Sequence, residues 1–334
     1  MLTVLRSEVR QEIGVDGVTF VCKIDERKRH RVTFGEERNV GGGIVMSLEQ
    51  YRNDFVRLYV NLSRLNRINN IQPFILSDTA KLRDFRPRIE AFLVKNGLSA
   101  FDLRIHKAEV NLTTALDTVS NSGKQEMKGL LDFMSCAMLQ DGDKGTGYFT
   151  AEQRADGLCV KQNESLFLRC KRRYAIKVYD KGREQGGEAG KVIRFELVIL
   201  QGKLMRLFPD NNSLDGVLSQ SGVITLTQCF SQIVLNEIIP SVCQYQKRLA
   251  RNFVHMAKQN GITESFCLLQ NQGFIFDESG LKYALGKFYG KGHKANVFNV
   301  KNKLMQKYYV SKSVAPYFRS LKRACKNTLE QGAI

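Results

Sequence analysis

Three segments of this chain alternate apolar and polar residues, and that period of two limits what they can become. In residues 104–112, His106, Ala108, Val110 and Leu112 share one side, and Lys107, Glu109 and Asn111 share the other. In 174–181, Tyr174, Ile176 and Val178 oppose Lys177, Tyr179 and Lys181. In 193–199, Ile193, Phe195, Leu197 and Ile199 oppose Arg194 and Glu196. Successive side chains on a strand point to opposite faces, so each segment reads as a strand with one face fit for a core and one bearing charge. If the three are neighbours, Glu109 and Glu196 converge near Tyr179 and its lysines. An ordinary solvated face lined with cross-strand charge pairs produces the same alternation.

Further strand signals lie at 17–24, 55–62, 147–150 and 165–170. Between the first two, a charged turn (25–38) runs into Gly41-Gly42-Gly43. Ser77-Asp78 suits the start of a helix that continues through Ile89, Phe92 and Leu93, and Pro87 is expected to bend or restart it. Residues 124–139 carry Met127, Leu130, Leu131 and Met134 at helical spacing. The glycine-rich, charged 182–190 suits an exposed loop. Beyond residue 210 the pattern turns helical, at 225–239, 245–258 and 277–289. Strands first and helices later argue an α+β fold with an antiparallel sheet. The expected division is a domain over 1–205 followed by a mainly helical, basic region over 206–334.

The formal net charge of +18 favours a polyanionic partner. The excess gathers near the end: 282–326 holds ten lysines, two arginines and no acid. Tyr283, Phe288, Tyr289, Phe298, Tyr308, Tyr309, Tyr317 and Phe318 alternate with those cations, a composition suited to phosphates and unpaired bases. Lys291, Lys294, Lys301, Lys303 and Lys307 are the expected DNA contacts there, with Lys177, Arg194 and Arg64 in the first region. Eight cysteines without Cys-x-x-Cys spacing read as reduced core thiols, and four scattered histidines give no zinc pattern. Arg6, Glu8 and Arg10 precede any apolar run, so no signal peptide is expected. The most apolar stretch, 222–242, is broken by Gln228, Ser231, Asn236 and Glu237, and no membrane span is expected.

The polar faces carry a specific chemistry. Paired carboxylates suit a hard divalent cation, Mg2+ or Mn2+, which polarises a phosphodiester oxygen. A tyrosine hydroxyl has an ordinary pKa of about 10. Nearby lysines and a metal favour its phenolate. Attack on phosphorus exchanges one phosphodiester-like bond for another, so such an enzyme opens and reseals a strand without ATP.

These residues resemble a known family. The segment Tyr179-Asp180-Lys181-Gly182-Arg183-Glu184 looks like the Tyr-x-Lys-x-x-Glu segment of filamentous-phage replication initiators, the gene II protein group. More distantly the chain resembles the trans-acting initiators of rolling-circle plasmids. Arg194-Phe195-Glu196-Leu197 resembles the family's Arg-Phe-Glu strand, and Lys107-Ala108-Glu109 sits where Arg-Ile-Asp is usual. Residues 60–70, with Asn61, Ser63, Arg64, Asn69 and Asn70, resemble an earlier strand and loop. The resemblance spans about residues 55–200. It implies Tyr179 as nucleophile with Lys181, and Glu109, Glu196 and Glu184 as metal ligands. Two departures stand out: Glu replaces Asp at 109, and the loop reads Asn69-Asn70 where a histidine beside an asparagine is frequent. No His-x-His pair is present, so any metal would rest on carboxylates.

The implied function is initiation of rolling-circle replication in the cytoplasm of a bacterial host, by nicking and rejoining one strand of supercoiled or single-stranded origin DNA. A host helicase is the implied further partner. A conjugative relaxase shares this chemistry, and a DNA-binding control protein without chemistry shares the charge. The Arg…His-x-x-Arg…Tyr arrangement of tyrosine recombinases is absent. Tyr148 and then Tyr174 are the reserve nucleophiles.

Overall fold

The computed structural model describes residues 12–24, 32–35, 38–39, 45–52, 54–62, 74–99, 102–115, 123–139, 150–151, 153–154, 157–158, 160–161, 165–170, 173–181, 192–311 and 314–331. Seven strands form the centre: β1 (Ile13–Lys23), β2 (Val45–Arg52), β3 (Phe55–Asn61), β4 (Arg104–Ala115), β5 (Ser165–Cys170), β6 (Tyr174–Asp180) and β7 (Val192–Leu200). Their order is β2-β3-β1-β4-β7-β6-β5, and each neighbouring pair is antiparallel. Two-residue strands, Arg38–Asn39 and Thr150–Ala151, flank this path. The three alternating segments are therefore adjacent, with β7 between β4 and β6. The fold is α+β, as the alternation predicts.

Register makes the alternation cumulative. Val18 pairs with Val60 and Ala108, Leu197 with Val110 and Ile176, and Val178 with Leu166 and Phe195. All of these side chains are buried. Helix α1 is Leu82–Lys95 and α2 is Gly123–Leu139; α3 (Gln201–Leu207), α4 (Leu214–Leu218) and α5 (Gln220–Ile233) follow the last strand. Helix α5 lies across β1 and β4, and its Phe230 meets Phe195 edge-on at 5.7 Å. Burying each phenyl contributes about 1.5–3 kcal/mol, and the edge-on contact adds about 0.5–1.5 kcal/mol.

The helical region continues with α6 (Ile239–Asn260), α7 (Ile262–Asn271), α8 (Glu278–Tyr289), α9 (Lys294–Lys307) and α10 (Ala315–Gln331). Between α5 and α6 the chain stays helical through a π segment, Val234–Ile238, where the Ile239 N–H donates to Val234 O. Pro240 explains it: proline supplies no N–H and its ring crowds the preceding carbonyls, so the ladder slips by one residue. The run Gln220–Asn260 is long and apolar enough to cross a membrane by length and composition, yet 56% of its most apolar window is buried inside the protein. Asp277 ties this region together. Its side chain accepts from Gly280 N at 3.0 Å, Gln246 Nε2 at 3.1 Å and Val314 N at 3.3 Å, joining the start of α8 to α6 and to the chain before α10.

Some elements depart from the sequence reading. Strand β2 lies beyond the charged turn and the glycines, where the sequence reading names no strand, because Glu49, Gln50 and Arg52 mask the buried Met46 and Leu48. Pro87 sits inside α1, and a 3-10 turn at Leu76–Lys81 comes before that helix. His106 does not share the apolar face. Thr19 pairs with Lys107 but Phe20 with Ile105, so His106 is the extra residue of a bulge and Ile105 takes the core position. Residues 147–149 and the 182–190 loop lie outside the described residues.

Candidate active site

The polar face of β4, β7 and β6 gathers the predicted residues. Register sets Glu196 across from Asn111 on one side and Lys177 on the other, with Tyr179 across from Arg194. Lys177 Nζ lies 2.6 Å from Glu196 Oε1 and 3.7 Å from Glu109 Oε1, so both carboxylates converge on one ammonium. Tyr179 donates its hydroxyl to Glu196 Oε2 at 3.2 Å. Lys107 adds a second ammonium to Glu109 at 2.8 Å, and Lys181 Nζ stands 5.6 Å from the centre of the Tyr179 ring.

The group is recessed. Glu196 is 2% exposed and Glu109 7%, while the Lys177 and Lys107 side chains are each about a third exposed at the rim. Burial raises the Glu196 carboxyl above the ordinary range, and the neighbouring Glu109 charge raises it further; Lys177 opposes both. Lys177 feels the reverse balance. Burial works to lower its pKa, but Glu196 and Glu109 outweigh that and hold the ammonium above the usual lysine value. A proton is thus harder to remove from Lys177, and Glu196 is a better proton acceptor than a solvated carboxylate.

Tyr59 is the residue that the sequence reading missed. It projects from β3 onto the same face and donates to Glu109 Oε2 at 3.4 Å, as Tyr179 does to Glu196. Burial and the Glu109 charge push its pKa well above the ordinary tyrosine value, so it remains a phenol. Its ring lies over Gly17: a Cβ there would come within 2.6 Å of the Tyr59 hydroxyl. A glycine within a strand is the signal that marked this close approach.

The floor of the site is a buried ion pair. A β-bulge between Val15 and Gly17 leaves Asp16 out of the β1–β4 ladder, and Arg194 reaches it with Nη1 at 3.1 Å from Oδ1. Arg194 Nε also donates to Thr113 Oγ1 at 3.0 Å. Arg194 is fully buried, which corrects its expected role as a DNA contact: a side chain without exposed surface meets no phosphate, and here it is the counter-ion of Asp16.

Asn111 lies between Glu109 and Thr113 on β4 and is fully buried, and neither atom of its amide has a hydrogen-bond partner. Two carboxylates and an unpartnered amide oxygen on one face suit a hard cation in donor type. Among the described residues, however, no three His, Cys, Asp or Glu side chains come together as a metal group. Glu184, Arg64 and Tyr148 lie outside the described residues. Tyr174 is buried, and its hydroxyl donates to Glu237 Oε2 at 2.8 Å in the π segment, away from the carboxylate pair.

Toward β3 and β2 the sheet turns basic and aromatic. Arg57 lies 3.9 Å from the centre of the Tyr51 ring and 3.4 Å from His106 Nε2. Burial and then Arg57 lower the His106 pKa, so the ring is neutral near pH 7. In the helical region, Lys291, Lys294, Lys303 and Lys307 are exposed. Lys301 differs from them: its side chain is 12% exposed and its ammonium sits 2.5 Å from Glu278 Oε1.

No protein-family model matches the chain, and no curated protein matches it in sequence. Among solved structures, the chain is similar to a rolling circle replication initiator protein from Geobacillus stearothermophilus, with 10% identity over 67% of this chain and 84% of that one, at a TM-score of 0.30. At that degree of overlap the likeness is loose, and side chains rather than superposition have to carry a functional assignment.

Proposed function

We propose that this protein nicks and rejoins one strand of DNA through Tyr179, as an initiator of rolling-circle replication. The observation that carries the proposal is the Tyr179 hydroxyl donating at 3.2 Å to Glu196, a buried carboxyl raised in pKa and flanked by Lys177. In the reaction the Tyr179 oxygen bonds to phosphorus and the bond from phosphorus to a sugar oxygen breaks. The tyrosine proton passes to Glu196, and the departing sugar oxygen takes up a proton from water. Resealing runs the same steps backwards, with Glu196 returning the proton to Tyr179.

Lys177 and Lys181 lend positive charge to the phenolate and to the phosphoryl oxygens as charge builds on them. Tyr59, held as a phenol, fixes the orientation of Glu109. A Mg2+ or Mn2+ ion would be held by Glu109 and Glu184, leaving Glu196 to the Tyr179 proton, and when bound it supplies Lewis-acid polarisation of the phosphodiester. The exposed lysines of α9 and of the turn before it supply contacts to DNA phosphates.

The test is incubation of supercoiled origin DNA and Mg2+ with the wild type or Tyr179→Phe, followed by denaturing electrophoresis. A covalent protein–DNA adduct from the wild type alone is the expected result. An adduct of equal yield from the phenylalanine variant removes Tyr179 from the role and moves attention to Tyr148.

A further inference from the structure

Helices α6 and α8 pack side by side and leave a groove of about 910 Å3 between them. Lys247, Arg248, Arg251 and Lys258 line it from α6, and Lys287 lines it from α8. Positions 247, 251, 254, 255 and 258 fall three or four residues apart, which aligns them along one side of α6. A second hollow continues the groove along α8, where Lys282 and Lys291 join Lys287. Among the described residues, no acidic one lines either hollow. The cationic stripe from Gln244 to Lys258 runs about 21 Å at helical rise. Its length and volume exceed what a single small anion fills, so the complementary ligand is a polymer of negative charge.

Tyr283 tells which polymer. It is 45% exposed and lines both hollows, and Lys287 Nζ lies 5.6 Å from the centre of its ring. An aromatic face at the rim of a cationic groove suits a stacked, unpaired base, whereas a duplex hides its base faces. Beside it, the backbone at Gly286 and Gly290 is open, since a Cβ at either position would meet nothing within 4 Å. Main-chain groups there can be approached closely by a phosphate.

We propose that the α6–α8 groove is a binding track for single-stranded nucleic acid, with Lys247, Arg251, Lys258 and Lys287 on the phosphates and Tyr283 under a base. The track is built from residues other than the carboxylate pair and its tyrosine, and it holds whether or not Tyr179 forms an adduct. Origin binding as proposed for the α9 lysines does not require it.

The experiment uses the full chain and fluorescence anisotropy with a labelled twenty-nucleotide oligo(dT), over a range of NaCl concentrations. Neutralising Lys247, Arg251, Lys258 and Lys287 to Gln together should lower the slope of log affinity against log salt by about 3, at about 0.7 per phosphate contact. Tyr283→Ala should weaken oligo(dT) binding about five- to a hundredfold while leaving an abasic strand of equal length unaffected. An unchanged salt slope in the fourfold variant, equal loss of oligo(dT) and abasic strand in Tyr283→Ala, or a larger loss for duplex than for oligo(dT) would each overturn the proposal. So would binding of the wild type to phosphatidylserine vesicles, or to a poly-glutamate peptide, in preference to oligo(dT). Adduct formation with supercoiled DNA, assayed in parallel, separates failure of the track from failure of the Tyr179 reaction.

Discussion

The polar face of the sheet and the α6–α8 surface are both rich in lysine, yet they use it in opposite ways. On the sheet, three cations each face an anion at contact distance: Lys177 with Glu196, Lys107 with Glu109, Arg194 with Asp16. On the helices, the cations of the groove face one another across a hollow with no acid among the described residues of its lining. Burial and the adjoining Glu109 charge raise the Glu196 pKa, while the paired ammonium groups hold the side chains in place, which suits chemistry at one atom. Exposed charges on an open surface are screened and unspecific, which suits attraction of a polymer. Lys301 shows that position in the chain does not decide the use: it lies in the basic helical region but is engaged by Glu278.

That contrast can be broken experimentally, beginning with the largest effect. Glu196→Gln should slow adduct formation by about 10²- to 10⁴-fold, the range of a lost proton acceptor, while DNA affinity by anisotropy stays unchanged. If affinity falls and the adduct rate does not, the sheet face binds rather than reacts. Asp16→Asn should cost about 3–5 kcal/mol of stability in urea unfolding, because it removes the Asp16 charge from beside a fully buried guanidinium. A cost under about 1 kcal/mol, the scale of an exposed pair, would mean that Arg194 is not committed to Asp16.

The pH dependence sharpens the comparison next. Glu196 is raised in the folded state, so folding favours its protonated form. The stability this group contributes is full below the ordinary carboxylate pKa of about 4.3 and is lost as pH rises through its higher folded value. Activity should move the other way, since Glu196 must be ionised to accept the Tyr179 proton. Glu109→Gln removes the second cause of the upward shift, and the Glu196 carboxyl should then titrate at lower pH in a 13C NMR titration. No movement would show that the two carboxylates do not sense each other.

Smaller effects follow. Tyr59→Phe removes one hydrogen bond to Glu109, worth about 1 kcal/mol, and should slow adduct formation about fivefold with DNA affinity intact. An unaltered rate and pH profile would make Tyr59 only a packed aromatic. Lys301→Ala should change DNA affinity less than twofold, because its ammonium is already paired; a loss comparable to that of Lys303→Ala would place Lys301 on the DNA after all.

Much of the sheet was legible in the sequence because a strand's faces follow from a period of two. Residues 165–170 were read with the bounds that the structure gives, β6 ends one residue before the segment read, and β7 runs one residue past it at each end. Once those strands lie side by side, alternation alone sends Glu109, Lys177, Tyr179 and Glu196 to one face. Features set by an irregularity were not legible. The bulge that ejects His106, the bulge that frees Asp16 for Arg194, and the π segment before Pro240 each change a local count by one residue.

The sequence by itself determined an antiparallel α+β protein with a strong basic excess, and it put Glu109, Tyr179 and Glu196 each on the polar face of its strand, because alternation and net charge depend only on the order of residues. The tertiary structure decided which charges cancel and which stay exposed. Tyr59 joins the site from β3 because β3 and β4 flank β1, and Gly17 leaves room for its ring. Arg194 turns inward because a bulge aims Asp16 at it, and the α6–α8 groove exists because two helices distant in sequence pack with their cations on one side. Pairing and burial depend on distances between residues far apart in the chain, and those distances are fixed only when the elements pack.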